Sequence, residues 1–267
     1  MTADDRLEMI CAKVLRAREH TVALIEELNI FYATNPYEYQ VRETGDGRRT
    51  YYISRMEPFP DRISVILGDV FQNLRSALDH LAWQIVEAAG NQPTQRTAFP
   101  ITDREINYSA IKDFEKGNGR LVAGWNPKAL KILDNIKPFK GGNQMLWQLH
   151  KLNNIDKHRK LFTAFADFDS INMGAVITGM FNSSFPDQKI ENVLNAYFRP
   201  KDTTPLNMGD IFFTEPATNN IIATDLIIFR AAIAESEVEA ILKIDEILPA
   251  MGILVHQTIL DFKPFLS

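Results

Sequence analysis

Asp69, Asn73, Ser76 and His80 recur at steps of three and four within the run from Asp61 to Ala89, a stretch that reads as one long helix. At about 100° per residue they fall within an arc of about 60°. Gln72, Arg75 and Asp79 flank that arc. A solvated helix face is normally richer in long charged side chains. Short hydrogen-bonding residues in that place indicate a face covered by other protein or one lining a cleft. A second stripe lies further along, where His150, Asn154 and His158 follow one another at steps of four within an arc of about 80°. If the two helices pack antiparallel with these stripes facing each other, four polar side chains can converge. A metal site drawn from Asp69, Asp79, His80, His150, Asp156 and His158 lacks any His-x3-His or Glu-x2-His pair on one helix, so no metal and no cofactor is expected. Neither a phosphate-cradling glycine loop nor GxSxG or CxxC occurs.

The elements that must position these stripes are mostly helical. Ile63, Leu67, Val70, Leu74, Ala77, Leu81 and Ile85 make the buried side of the Asp61–Ala89 helix, with Pro60 before it and Gly90 after it as boundary signals. Ala3 to about Ala33 predicts a long first helix, with Leu7, Ile10, Val14, Val22, Ile25 and Leu28 mainly along one side. Pro36 ends it. Tyr37 to Arg55 predicts a β-hairpin turning at Gly45-Asp46-Gly47, which must pack on helices or join other strands because two strands alone are marginal. Its tyrosines and arginines suit base stacking, and suit strand packing better. A short helix is expected from Asp103 to Lys116, and another from Pro127 with Asn126 as cap and Pro138 as stop. Leu146, Leu149, Leu152 and Ile155 give the apolar stripe of the helix that carries His150.

From Leu161 the pattern changes to short apolar runs divided by Asp, Asn, Pro and Gly, among them LFTAFADF, INMGAVITGMF, DIFFTE and IIATDLIIF. These predict strands over about 161–230. A helix is expected from Ser236 to about Leu248, broken at Pro249 and followed by a last piece from Met251 to Phe262. The fold class is therefore α+β: a helical bundle domain of 1–160 plus 236–267, interrupted by a small antiparallel β insertion at 161–235.

With 267 residues, 45% hydrophobic and 24% charged, the chain has the composition of a soluble globular protein. A net charge of −5 argues against a duplex-DNA surface. The lone Cys11, the lack of a signal-peptide pattern and the lack of an 18-residue apolar run point to a cytoplasmic protein with no membrane partner.

Arg75-Ser-Ala-Leu-Asp-His80 on a helix resembles the motif of the HEPN family, helical-bundle domains of bacterial toxins, phage-defence proteins and RNA nucleases. In that family an arginine is followed by four to six residues and then a histidine. The resemblance implies metal-independent RNA cleavage in a cleft completed by a second subunit, hence an RNA substrate and a homodimer. It assigns Arg75 to the scissile phosphate and His80 to general acid or base work, with Asp69, Asn73, Ser76 and Asp79 supporting. Such roles suit a guanidinium and an imidazole. Ser76 departs from the Asn, Asp or His common in the family after the arginine. The resemblance covers about residues 60–90. NLRSALDHLAW and LHKLNNIDKHR are also similar to bacterial proteins of no assigned function.

A second reading uses the same residues otherwise. Arg75 and Asp79 are an i, i+4 ion pair, the polar stripes are hydrogen-bond networks between helices, and the chain is a non-catalytic ligand- or protein-binding module. The first reading requires Arg75 and His80 exposed in a groove; the second requires both buried and locally bonded.

Overall fold

A computed structural model describes residues 1–112, 120–158, 164–190, 196–198, 206–217, 227–238 and 240–267. In chain order its elements are α1 (Ala3–Ala33), β1 (Tyr37–Thr44), β2 (Arg48–Met56), α2 (Asp61–Ala88), α3 (Glu105–Ser109), α4 (Pro127–Ile136), α5 (Gln144–His158), β3 (Ala164–Asn172), α6 (Met173–Ser184), β4 (Tyr197–Phe198), β5 (Ile211–Pro216), β6 (Ile227–Glu235), β7 (Ala240–Lys243) and α7 (Ile244–Asp261). The class is α+β. Two compact units divide the chain: Met1–Glu27, Asp61–Phe162 and Asp245–Ser267 form a helical unit, and Leu28–Pro60 with Thr163–Ile244 forms a unit built around the strands.

In the helical unit α2 is the core element. All seven residues of its expected stripe, Ile63 through Ile85, are buried. α1 runs antiparallel to it, since Arg6 bonds Gln84 and Glu87 at one end while His20 approaches Asp69 at the other. α5 is also antiparallel to α2. Gly68 lies against Asp156, so closely that a Cβ there would stand 2.4 Å from the carboxylate. A side chain at that position would have to displace the Asp156 carboxylate. Asn126 caps α4 by accepting from the Lys128 amide, and Lys137 leaves the helix in the left-handed conformation just before Pro138.

α1 departs from expectation in one respect. Its inward residues are Ile10, Ala17, Leu24 and Leu28, whereas Val22 and Ile25, expected inside, are exposed. The helix carries two apolar stripes, and the second (Cys11, Leu15, Val22, Ile25) faces outward. Among the described residues no helix is long and apolar enough to cross a membrane.

In the second unit the hairpin of β1 and β2 gains a third strand, β5, antiparallel to β2. The other sheet has the order β4-β3-β6-β7, all antiparallel. Tyr51, Ile53, Phe168, Ile171 and Leu206 form this unit's core.

Two local expectations are corrected. Residues 173–184, expected as strand, form α6: β3 ends at Asn172, the Gly174 amide donates to the Ala196 carbonyl, and Thr178 bonds back to the Gly174 carbonyl. A short apolar run does not distinguish strand from buried helix by periodicity. The helix expected from Ser236 begins only at Ile244, because Ala240–Lys243 pairs with β6 as β7. α7 then continues through Pro249. A proline early in a helix forfeits one backbone bond, and the apolar run on either side outweighs that loss. The helix expected over Asp103–Lys116 is α3 with a 3-10 turn at Ala110–Lys112, and 113–119 lie outside the described residues.

Candidate functional site

Arg75 on α2 is buried and joined to two other residues. Its side chain is only 8% exposed. One guanidinium nitrogen, Nη2, donates to Asp79 Oδ1 at 2.8 Å and to the Phe99 carbonyl at 2.6 Å. Asp79 Oδ1 also accepts from the Phe99 amide at 3.0 Å. The i, i+4 pair therefore grips both backbone groups of one residue twenty-four positions away from Arg75. Phe99 is itself fully buried, against Trp125 and Phe262. Burial lowers the Arg75 pKa, and the Asp79 carboxylate partly offsets this. Phe99 had no signal in the sequence, because a backbone carbonyl has none.

His80 lies elsewhere. It is exposed and makes no hydrogen bond or ion pair with a described residue. Arg75 and His80 thus share a helix but not an environment. The rest of the α2 stripe is bonded locally: Asn73 donates to the Asp69 carbonyl at 2.8 Å, and Gln72 donates to Ser76 at 3.2 Å.

α5 brings its own stripe against α2. His150 is largely buried, and Asn154 donates to its Nε2 at 3.1 Å. That bond assigns the ring proton to Nδ1, which has no hydrogen-bond partner among the described residues. Burial, and then the nearby Arg75 charge, push the His150 pKa down to about 4. Its imidazole is neutral at pH 7. Arg75 Nη1, like His150 Nδ1, is buried without a hydrogen-bond partner among the described residues. Asp156 rests on Gly68, and burial together with the Asp69 charge raises its pKa. The side chain of His158 lies outside the described residues. So the structure unites Arg75, Asp79 and Phe99, and beside them His150 and Asn154; His80 does not join them. No group of three or more described His, Cys, Asp or Glu residues is arranged to hold a metal.

No family model, curated protein or solved structure matches this chain. The geometry alone must carry the functional reading.

A second feature of the helical unit has the shape of a binding site. α1, α2 and α7 enclose a groove of about 630 Å³, a volume typical of small-molecule sites. Val70 and Leu74 form its floor. Cys11, Leu15, Val22 and Ile25 line one wall, and Leu248 and Ile253 the other. Leu15 and Ile253 are 56% and 71% exposed, so the walls stand open to solvent. Arg18 and His256 are the basic residues lining it. The sequence signal was the 4-3-4-3 spacing of residues 11, 15, 18, 22 and 25, which does not coincide with the buried stripe.

Replacing Arg75 by alanine strands the Asp79 carboxylate and the Phe99 carbonyl, and should lower unfolding free energy by about 3 kcal/mol. His80→Ala should change it by no more than about 0.5 kcal/mol. Urea denaturation of the two variants measures both. The His150 shift has a defined sign: between its ordinary 6.5 and about 4, the unfolded chain binds a proton that the folded chain refuses. Stability should therefore fall as pH drops through that window, by about 2–3 kcal/mol from this residue. Denaturation midpoints at pH 7 and pH 4.5 should lie closer together in His150→Asn than in the parent.

Proposed function

We propose that this chain is a non-catalytic binding module whose helical unit accepts an apolar ligand or partner segment in the groove between α1, α2 and α7. The observation that carries the reading is the groove itself: a concave, apolar, solvent-open surface with two cationic or titratable side chains at its walls. Sites of this kind bury most of a ligand against apolar walls and use a few polar groups to orient it. The state of Arg75 supports the same conclusion. The Arg75 guanidinium is buried and anchored through Nη2 to Asp79 and the Phe99 carbonyl, so a phosphate would have to enter the core to meet it.

One observation favours the alternative, a HEPN-like ribonuclease acting as a homodimer on RNA. His80 is exposed, so its imidazole can reach a nucleotide. In that reading Arg75 acts only after leaving its buried position, or another cation replaces it from a second subunit.

Gly252 provides a clean test, since a side chain added there meets open space within the groove wall. Nile red should bind the parent saturably with enhanced fluorescence, and Gly252→Phe should abolish this without lowering the melting temperature. Undiminished dye binding in Gly252→Phe, or no binding in the parent, would discard the groove reading. RNA cleavage by the parent that disappears in His80→Ala would establish the ribonuclease instead.

A further inference from the structure

The groove's walls indicate what occupies it, and this inference rests on the binding reading above. The outward stripe of α1 is spaced 4-3-4-3 over residues 11, 15, 18, 22 and 25, the spacing of a seam between packed helices. From Cys11 to Ile25 it extends about 21 Å, the length of about 14 helical residues. On the opposite wall Leu248, Gly252 and His256 repeat every four residues, and Gly252 leaves a gap in which a neighbouring side chain can seat. A helix laid along this groove would meet three helices at once: two walls and the Val70–Leu74 floor.

Charge decides what kind of helix. Arg18 has Val14, Leu15, Thr21 and Val22 at its i±3 and i±4 positions, so no acid on its own helix can neutralise it. His256 has Gly252, Ile253, Ile259 and Leu260 at the same positions. Arg18 makes no ion pair with a described residue, and no carboxylate lines the groove. A basic spot surrounded by apolar walls, in a chain of net charge −5, calls for an acid from outside. A two-fold pairing of this face with itself does not supply it. Arg18 is the middle residue of the stripe, so a two-fold pairing of the α1 faces centred there sets guanidinium against guanidinium.

We propose that the α1/α2/α7 groove docks an amphipathic helix of another protein, with its apolar face against Leu15, Val22 and Ile253 and a carboxylate on Arg18. This is helix-in-groove recognition with the charge assigned.

The probe is a labelled peptide of about 18 residues with leucine at each seam position and glutamate at the flanks, alongside a twin with lysine in place of glutamate. Fluorescence anisotropy with the intact chain should give a micromolar dissociation constant for the glutamate peptide and binding about tenfold weaker for the lysine twin. Arg18→Glu, an exposed position, should reverse that preference, and Gly252→Phe should block both peptides. If neither peptide binds while Nile red still does so in a Gly252-dependent manner, the helix assignment fails and the groove reading survives. Equal binding of the two peptides, or indifference to Arg18→Glu, refutes the charge assignment. Sedimentation showing a dimer that Gly252→Phe dissolves would overturn the proposal in favour of self-association.

Discussion

The helical unit depends on one buried contact, the Arg75 guanidinium shared between Asp79 and the backbone of Phe99. A buried cation is costly to desolvate, and only paired, hydrogen-bonded geometry offsets that cost. Here the offset comes from a carboxylate one helical turn away and a carbonyl from a loop. The consequence reaches well beyond α2. Because Asp79 and Arg75 hold both polar groups of Phe99, its ring is fixed against Trp125 and Phe262, which joins the 97–101 segment and the end of α7 to the same core.

The same contact partitions the chemistry available on α2. The side toward α5 is filled by Arg75, His150 and Asn154, and by Asp156 pressed on Gly68. Burial keeps His150 neutral, so it is not an imidazolium acid at neutral pH. Two buried nitrogens of this polar layer, Arg75 Nη1 and His150 Nδ1, have no hydrogen-bond partner among the described residues. Such a layer favours one register of the two helices over its neighbours, at some cost in stability. The side of α2 toward α1 and α7 is apolar and buried at the floor of the groove, and the exposed apolar surface there belongs to the α1 and α7 walls.

Much of this was readable in residue order alone. Strongly periodic elements are set by local rules, so α2 and its buried stripe, the Asn126-Pro127 helix start and the glycine-turned hairpin all follow from spacing and caps. The antiparallel approach of the Asp69–His80 and His150–Asn154 helices entered only as a condition, and it sets His150 near Arg75 and not near His80. Elements whose identity depends on a neighbour did not follow. EVEAILKI has a helical pattern, yet Ala240–Lys243 is claimed by the free edge of β6. INMGAVITGM is an apolar run of either kind, and the bond from the Gly174 amide to the Ala196 carbonyl helps set where the strand ends and α6 begins.

Residue order therefore specified α1, α2, α4 and α5, the hairpin, the α+β class and the two polar stripes, because each is written in periods of two or about 3.6 within a short window. Folding in three dimensions assigned each side chain its surroundings. It sent Arg75 inward and left His80 in solvent although they are five residues apart, because a backbone carbonyl at Phe99 was there to receive the guanidinium. It turned a second apolar stripe of α1 outward, because α2 can cover only one side of that helix.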